Sequence, residues 1–269
     1  MKFIQILFSF SLLFTLFSCQ KVINVNLNDA KPQYVIEASM YEGTHDFKVK
    51  ITQTTSYFEP QSVPLVNDAV VTLYDNNLNA LPLTATGNGW YELPNFTALN
   101  FNTYQLQVAV GGKLFKAQAT MPAHTNIDSL SYQPFGGFGP PGSQDGDQLV
   151  KVHFIDSGGV KNYYRVLITR NDTLQAKPGN YYLFDDQLRD GLQIDAPLFT
   201  TLFNKNDKAD IQLLGMDESV YDYFNTLSEV ITGDANTGAA PANPNSNFSG
   251  GALGYFAVYS SSSMSIVIQ

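Results

Sequence analysis

Hydrophobic and polar residues alternate along several short stretches in the first half of the chain, which is the period of a half-buried β-strand. Phe47 to Thr52 and Tyr104 to Val110 are two such stretches. Gly111 and Gly112 follow the second one, and a glycine pair allows the positive φ angles of a two-residue turn. About six or seven strands of this kind between residues 32 and 123 predict a small antiparallel sandwich of immunoglobulin-like size.

The second half of the chain, residues 124–269, reads as a further β-rich region with one amphipathic helix. Polar and apolar residues alternate again within residues 150–154 and 162–170. From Val220 to Ile231 the apolar residues recur at helical spacing, and Asp217 just before them is of a type that caps helices. We therefore expect a helix over about residues 217–232 in a chain that is otherwise mainly β.

The N-terminus has a different composition from the rest of the chain. Lys2 gives it a positive start, and Phe3 to Phe17 is almost wholly apolar. This apolar stretch of about 15 residues is shorter than the ~20 that a membrane-spanning helix needs, and it fits the core of a secretory signal peptide. We therefore expect residues 1–18 to be a signal peptide.

Cys19, the only cysteine in the sequence, stands at the end of this segment. The residues before it, Leu16 to Ser18, are similar to the lipobox of bacterial lipoproteins, in which the cysteine is lipidated and the signal is cut before it. We expect Cys19 to attach the chain to membrane lipid and residues 19–31 to be a lipidated tether. The alternative is an ordinary secreted protein with a free cysteine near its start.

The net negative charge of the chain restricts the kinds of molecule that it is expected to bind. Removal of residues 1–18 would take away one lysine and no acidic residue, which leaves 14 basic against 24 acidic side chains. Nucleic acids and anionic membrane surfaces both require a basic face, so neither is expected as a partner. Because no cysteine follows Cys19, the remaining chain has no disulfide and no thiolate metal site.

The histidines and one acidic turn give no pattern of catalysis. His45, His124 and His153 stand alone in the sequence, without a second ligand type at metal spacing, and a structural role is favoured for each. Asp75 to Asn79 begins like a calcium loop, but the pattern then fails because Ala80 stands where the loop needs glycine. A β-turn explains that stretch better.

Two acidic pairs leave alternatives open. Asp145 with Asp147, and Asp185 with Asp186, could hold a calcium ion or act as paired acids. Solvated turn residues are the interpretation we favour, because nothing in the sequence brings a further carboxylate to either pair. The sequence therefore predicts no catalytic residue, no metal ligand and no cofactor.

Exposed aromatic side chains are the remaining candidates for binding, because they stack on sugars and anchor protein interfaces. They lie near two loops, Pro134 to Gln148 and Thr232 to Gly251, that are rich in glycine and proline. For any single aromatic residue a place in the core remains the commoner outcome. The candidates for ligand or partner binding are Phe135, Phe138, Tyr181, Tyr182 and Phe248.

Several segments together resemble a family of Bacteroidota lipoproteins that is known only as a domain of unknown function. After the lipobox-like cysteine, these segments are "KVINVNL", "YVIEASM", "VNDAVVTLYD", the junction "ATMPAHTNIDSL", the strand "NYYRVLI" and the closing "NFSGGALGYFAVYSSS". The resemblance spans essentially the whole chain after residue 18 and contains no catalytic motif. It implies an outer-membrane lipoprotein that is commonly encoded beside TonB-dependent transporters of the starch-utilisation type.

This resemblance sets our functional expectation. We expect a non-enzymatic, lipid-anchored protein of the outer membrane that serves such a transporter as an accessory or ligand-capture subunit, with a glycan or peptide as the possible ligand. Display on the cell surface is expected, although no acidic residue follows Cys19 until Asp29 and the periplasmic face stays open. The alternatives are a surface adhesin or assembly component and, behind it, a hydrolase whose site is dispersed along the chain.

Overall fold

The structure is a computed structural model, and it describes residues 31–55, 62–136, 146–176, 181–233 and 243–269. Cys19 and Phe138 lie outside these described residues, as does most of the predicted loop from Pro134 to Gln148. The chain divides into two compact units, Met1–Lys31 and Pro32–Gln269. The second unit holds all the strands and the helix of the described residues.

This second unit is built almost entirely from β-strands. The strands are β1 (Tyr34–Tyr41), β2 (Gly43–Gln53), β3 (Val70–Tyr74), β4 (Ala80–Pro82), β5 (Thr84–Gly87), β6 (Trp90–Ala98), β7 (Thr103–Val110), β8 (Lys113–Thr120), β9 (Ser129–Pro134), β10 (Gln148–Ile155), β11 (Tyr163–Arg170), β12 (Thr173–Leu174), β13 (Leu183–Asp185), β14 (Gln193–Phe203), β15 (Lys208–Met216) and β16 (Leu253–Val267). The helix of the described residues is α1 (Glu218–Thr232).

These strands form three sheets. The largest has nine strands in the order β12-β11-β15-β16-β1-β2-β6-β5, with β13 paired to β11. A four-stranded sheet has the order β4-β3-β7-β8, and a three-stranded sheet has the order β14-β10-β9. All pairs are antiparallel except the central one, in which β1 and β16 run parallel.

The nine-stranded sheet has apolar clusters on both faces. Alternate side chains of a strand point to opposite faces, so the strand registers decide which cluster each residue joins. On one face, Ile36 and Phe256 belong to a first cluster that includes residues of the four-stranded sheet, and Val166 and Ile211 belong to a second that includes residues of the three-stranded sheet. On the other face, Tyr259 and Phe224 belong to a third cluster, which lies against α1.

Helix α1 begins where the sequence predicts. The side chain of Asp217 caps the first turn by accepting a hydrogen bond from the backbone N–H of Val220 at 3.0 Å. The same carboxylate accepts from the N–H of Thr120 at 3.1 Å, which ties the helix start to β8. Val220, Tyr223 and Phe224 then form the buried face that packs on the large sheet.

Strand β16 connects the two halves of the chain. It pairs with β1 on one side and with β15 on the other, although more than 200 residues separate it from β1. Gly254 sits at the start of this pairing with φ of +92°, and a Cβ atom there would lie 2.0 Å from the carbonyl oxygen of Ile36. Only glycine allows the two strands to approach this closely.

The mainly β character and the antiparallel sheets agree with the expected fold class, and the helix and the glycine turn are confirmed. Gly111 and Gly112 both have positive φ between β7 and β8. The strand expected at residues 181–184 is present as β13, two residues later. The immunoglobulin-like character and the domain boundary between residues 123 and 124 stay predictions, although β16 supplies Phe256 and Val258 to the first cluster.

Candidate functional site

Tyrosine is concentrated in the third apolar cluster, between the large sheet and α1. Seven of the 15 tyrosines in the sequence lie there, and we call them with Phe224 the tyrosine cluster. Its members besides Phe224 are Tyr41, Tyr163, Tyr181, Tyr221, Tyr223, Tyr255 and Tyr259.

Strand register and helical spacing explain why these rings converge. Tyr41 on β1 is directly opposite Tyr259 on β16, and their ring centroids are 5.4 Å apart. Tyr255 precedes Tyr259 by four residues and therefore shares its face of the strand. From α1, Phe224 and Tyr223 each place a ring centroid 4.9 Å from that of Tyr255.

Arg165 lies among these rings without a counter-charge. It is on β11, on the same face as Tyr163, and its guanidinium carbon is 4.2 Å from the ring centroid of Phe224 and 5.1 Å from that of Tyr181. Its Nε atom is buried and has no hydrogen-bond partner. Across the described ranges Arg165 forms no ion pair, so ring faces are what surround this half-buried cation.

The neighbouring phenol groups are held in their protonated form. Tyr259 is 1% exposed, and although neither its hydroxyl nor the Arg165 Nε makes a hydrogen bond of normal geometry, Arg165 is close enough to act on this hydroxyl as a hydrogen-bond donor. Burial raises the pKa of Tyr259 well above its usual value, and Arg165 opposes this only in part. Burial likewise raises the pKa of Tyr41 and of Tyr255. The surroundings of Arg165 therefore offer a positive charge and O–H donors.

This combination suits an anion better than any other ligand. A buried charge or polar group without a partner is costly, and the cost falls when a ligand supplies the missing acceptor. Guanidinium N–H and phenol O–H groups are donors, and hydrogen bonds from them to an anionic oxygen are stronger than neutral ones.

A second arrangement of interest crosses the three-stranded sheet. His153 on β10 is hydrogen-bonded to Ser131 on β9, with 2.7 Å between Nε2 of the ring and Oγ of the serine. Its other ring nitrogen, Nδ1, is 2.6 Å from Oδ1 of Asp195 on β14. Hydrogen bonds from His153 and Gln193 lower the pKa of the Asp195 carboxyl. A carboxylate only accepts, so Nδ1 carries the proton of neutral His153, and Nε2 accepts from the Ser131 hydroxyl.

A serine hydrolase uses the same order of hydrogen-bond donors and acceptors to activate its nucleophilic serine. The three residues lie on the outer face of the sheet, and the Asp195 side chain is 53% exposed. The sequence missed this arrangement, because His153 reads as isolated until strand register brings Asp195 opposite it.

Three acidic residues form a group whose carboxylates are hydrogen-bonded to other parts of the chain. One oxygen each of Asp156, Asp186 and Asp190 lies within 4.8 Å of the others, a spacing that could hold a metal ion. Asp156 accepts from the Tyr164 hydroxyl at 2.5 Å, Asp186 from the backbone N–H of Asn162 at 2.9 Å and Asp190 from that of Gly159 at 2.7 Å. Each carboxylate therefore already closes a turn of the chain.

The other predicted acidic residues are not part of this group. Asp75 accepts hydrogen bonds from the backbone N–H groups of Asn77 and Asn79, both at 2.9 Å, so this stretch is a turn as expected. Asp185 accepts from the N–H of Gln187 at 3.3 Å. Asp147 and Asp186 are 8% and 2% exposed, so the expected solvated position is wrong for these two residues, and Asp145 lies outside the described residues.

The four aromatic candidates within the described residues do not form one surface. Tyr181 belongs to the tyrosine cluster, whereas Tyr182 packs against the second apolar cluster and its hydroxyl accepts from the N–H of Thr200 at 2.6 Å. Phe135 is half-buried just after β9. Phe248 is 6% exposed in the first cluster, so its expected exposure is wrong, and its side chain fills the core.

Two comparisons with known proteins returned matches, one of them informative. Residues 20–265 match the model of a family described as "Domain of unknown function (DUF4249)". The chain belongs to this family. A family known only as a domain of unknown function was expected from the sequence, and that part of the expectation is confirmed. The tyrosine cluster and Arg165 lie entirely within the matched residues.

The remaining comparisons add little beyond this family. No curated protein matches the chain. Among solved structures, the chain is similar to part of the native conformation of E. coli alpha-2-macroglobulin, with 9% sequence identity and a TM-score of 0.24. The match covers 72% of this chain and 14% of that chain, and a score this low supports no inference. Within the described residues, no helix has the length and apolarity to cross a membrane.

Proposed function

We propose that this family member is a lipid-anchored outer-membrane protein that captures a ligand for a TonB-dependent transporter, without catalysing a reaction on it. The lipobox-like segment before Cys19 and the resemblance to outer-membrane lipoproteins support the anchor and the partner. Two or more acyl chains hold a protein stably on a bilayer, so lipidation of Cys19 would keep the folded unit at the membrane.

The observation that carries the binding role is Arg165 in the tyrosine cluster. Its cation lacks a counter-charge among the described residues, and the buried Nε lacks an acceptor. Proteins seldom leave such groups buried unless another group completes them, because an unpartnered donor costs about 1–3 kcal/mol. A ligand that supplies the acceptor is the completion we propose.

The anchor and the partner are tested by one purification. Membranes of cells that express the tagged wild type, and of cells that express Cys19→Ala, are labelled with a fatty-acid analogue and extracted in mild detergent. We expect label on the wild type alone and a stoichiometric barrel protein co-purifying with it. Equal label in both chains would overturn the anchor. A partner other than a transporter would favour the adhesin or assembly role.

A second candidate function, hydrolysis, is favoured by one specific observation, the hydrogen-bonded series Ser131, His153 and Asp195. In that case Ser131 would attack the carbonyl carbon of an ester or amide while His153 takes the hydroxyl proton, and His153 would return this proton to the departing alcohol or amine. Water, activated in the same way, would then hydrolyse the acyl-serine and release the acid. The exposed position of Asp195 weighs against it, because catalytic series of this kind hold the carboxylate buried.

A fluorophosphonate probe, which reacts with activated serines, decides between these roles. Ser129→Ala is the matched control for Ser131→Ala, since Ser129 lies on the same strand and opposite His153. If the site is catalytic, labelling disappears in Ser131→Ala and persists in Ser129→Ala. Our first proposal expects no specific labelling in any of the three proteins.

A further inference from the structure

We propose that a cavity between β13 and β14 binds a zwitterionic ligand of the amino-acid class, free or as a short peptide, through its two charged ends and an apolar side chain. The cavity has a volume of about 410 Å³, which lies within the range of small-molecule sites. This site is independent of the function proposed above, because neither the lipid anchor nor Arg165 takes part in it.

The cavity lies between the edges of two sheets. Among the described strands, β13 pairs with β11 alone, and β14 is an edge of the three-stranded sheet with β10 as its one neighbour. Seven consecutive residues, 194–200, line the cavity from β14, and residues 182–185 line it from the other side. Consecutive residues point to both faces of a strand, so the edges of the strands border the cavity.

A bulge in β14 and one tyrosine hold the two sides of the cavity together. The register between β10 and β14 shifts after Pro197, so residues 198–201 bulge out of the ladder. Within this bulge, the N–H of Thr200 donates a hydrogen bond to the Tyr182 hydroxyl at 2.6 Å. Both residues line the cavity, which is therefore bounded by a fixed contact.

Most of the residues that line the cavity are apolar. Ile194 and Leu198 are buried members of the second apolar cluster, and Phe184 packs against that cluster. Phe199, which also lines the cavity, is 55% exposed and therefore reaches the surface. An apolar side chain of a ligand would leave water on entering these surroundings, which favours its binding.

Charged side chains of both signs line the same cavity. Arg189 is exposed, and within the described ranges it makes no ion pair. Asp185 and Asp195 supply two carboxylates, and hydrogen bonds from His153 and Gln193 lower the pKa of Asp195. A ligand with a carboxylate for the arginine and an ammonium group for the aspartates complements all three charges.

The open edge of β14 favours a short ligand over an added strand. The N–H of Asp156 donates to the carbonyl of Leu192 at 3.1 Å, and hydrogen-bonded pairs alternate along an antiparallel ladder. In this register, the main chains of Asp195 and Pro197 face away from β10. Pro197 offers no N–H to an added strand, whereas the carbonyl oxygens at this edge can accept from an ammonium group.

Isothermal titration of the full-length, detergent-solubilised protein tests this site with four probes. Leucylleucine carries both charges and two apolar side chains. Its C-terminal amide lacks the carboxylate, its N-acetyl form lacks the ammonium group, and glycylglycine lacks the side chains. We expect leucylleucine to bind at least fivefold more tightly than each of the others, because each lacks one group that the cavity complements.

Two variants assign the charges to the two ends of the ligand. Arg189→Gln should abolish the preference for leucylleucine over its amide and keep the preference over the N-acetyl form. Asp185→Asn should weaken the second preference and keep the first. Lys113→Gln is the matched control for the arginine, since it makes the same charge change on an exposed residue of β8 outside the cavity, and it should keep both.

Circular dichroism spectra establish whether the variants fold. Phe199→Ala shortens an exposed side chain and serves if Arg189→Gln does not fold. It should weaken the binding of leucylleucine at least threefold and leave glycylglycine unchanged.

Binding of none of the probes, equal binding of leucylleucine and its two blocked forms, or an unchanged preference in Arg189→Gln would each overturn the site. Equally tight binding of glycylglycine would overturn the role of the apolar lining. None of these results would bear on the anchor, because fatty-acid labelling depends on Cys19.

Discussion

Arg165 illustrates how the favourable and unfavourable contacts of one buried side chain can offset each other. Its cation gains from the ring of Phe224, an interaction of about 0.5–2 kcal/mol, while the buried and unpartnered Nε costs about 1–3 kcal/mol. These two terms nearly cancel. The residue therefore contributes little to the stability of the fold.

Replacing this arginine should accordingly not harm the protein. For Arg165→Met we expect a free energy of unfolding that is unchanged or raised by about 1 kcal/mol, since methionine fills the space without an unpartnered donor. Arg170→Met on the same strand is the matched control. Arg170 pairs with the buried Asp207 and donates to the carbonyl of Leu202 at 3.0 Å, so its loss should cost about 2 kcal/mol.

Urea unfolding of the ligand-free protein measures both differences. A loss of about 2 kcal/mol or more in Arg165→Met would mean that the cation stabilises the tyrosine cluster itself. The gain from Phe224 and the cost of the unpartnered Nε would then not cancel.

Another residue-scale contact makes stability depend on pH. Nδ1 of His124 is 2.6 Å from a carboxylate oxygen of Glu42, and Nε2 is 3.0 Å from the side-chain oxygen of Asn126. The hydrogen bond to Glu42 raises the pKa of His124 above 6.5, although burial opposes it. Burial acts against the shift of Glu42 too, but hydrogen bonds from His124 and Asn100 lower its pKa below 4.5.

These opposite pKa shifts confine the stabilisation to a window of pH. The His124 contribution is fully present below pH 6.5 and is lost as the pH rises through the raised pKa, whereas the Glu42 contribution is present above pH 4.5 and is lost as the pH falls through the lowered pKa. The pair should therefore stabilise most between about pH 4.5 and 6.5, by less than about 1 kcal/mol because both groups are partly exposed.

Urea unfolding of the wild type and Glu42→Gln across pH 4 to 9 measures this difference. We expect the gap between the two proteins to be largest near pH 5.5 and to shrink above pH 7. Glu37→Gln, which removes an exposed carboxylate without an ion pair in the described residues, should show no such profile. A gap that grows at alkaline pH would contradict the assignment.

The sequence predicted the environment of a single side chain only where residues next to it along the chain determine that environment. The turn at Asp75 to Asn79 is local, and its prediction is confirmed. Phe248 lies in a segment whose composition is typical of loops, yet it is buried because Ser249 bridges to Lys116 on β8. Arg165 reads as one more polar position in an alternating strand, since the rings beside it come from Tyr181, which precedes β13, and from Phe224 on α1.

Among the strands, β16 depends on a single residue, Gly254, for its close pairing with β1. A side chain at Gly254 would require both the positive φ of +92° and a Cβ atom 2.0 Å from the carbonyl oxygen of Ile36. Gly251, three residues earlier, has a similar φ of +82° and open space around it. The two glycines therefore separate steric overlap from backbone strain.

We expect Gly251→Ala to lower the free energy of unfolding by about 1–2 kcal/mol, the cost of a left-handed conformation for an L-residue. Gly254→Ala should cost more than about 3 kcal/mol, because β1 and β16 must also move apart. Thermal unfolding of the two variants tests the order. Equal losses would mean that the strands separate easily at this point.

The elements themselves were largely predictable, whereas their pairing was not. Alternation marked most strands, and Asp217 with the apolar residues after it marked α1, because these patterns lie within a few residues of each other. The pairing of β1 with β16 joins the two ends of the unit, and nothing near either strand specifies it. Such pairings depend on packing across the whole unit.

At the scale of the whole molecule, the large sheet makes the two predicted regions interdependent. The first apolar cluster takes Phe248, Ala252, Phe256 and Val258 from the far end of the chain. Residues 32–123 alone would lack these side chains and the parallel partner of β1. We expect that fragment to show no cooperative thermal transition, whereas residues 32–269 unfold in one.

Differential scanning calorimetry of the two fragments tests this expectation. Adding residues 243–269 to the short fragment as a separate peptide is the sharper control, since it should restore part of the transition if β16 is the missing element. A cooperative transition in residues 32–123 alone would instead support two separate domains.

The central position of β16 also bears on the order of events during biosynthesis. Translation proceeds from the N-terminus, so β1 emerges first and its partner emerges almost last. Until the final strand arrives, β1 has one neighbour only and its other edge is open to pairing with other chains. A nascent chain of this protein would therefore need chaperones that shield that edge until synthesis is finished.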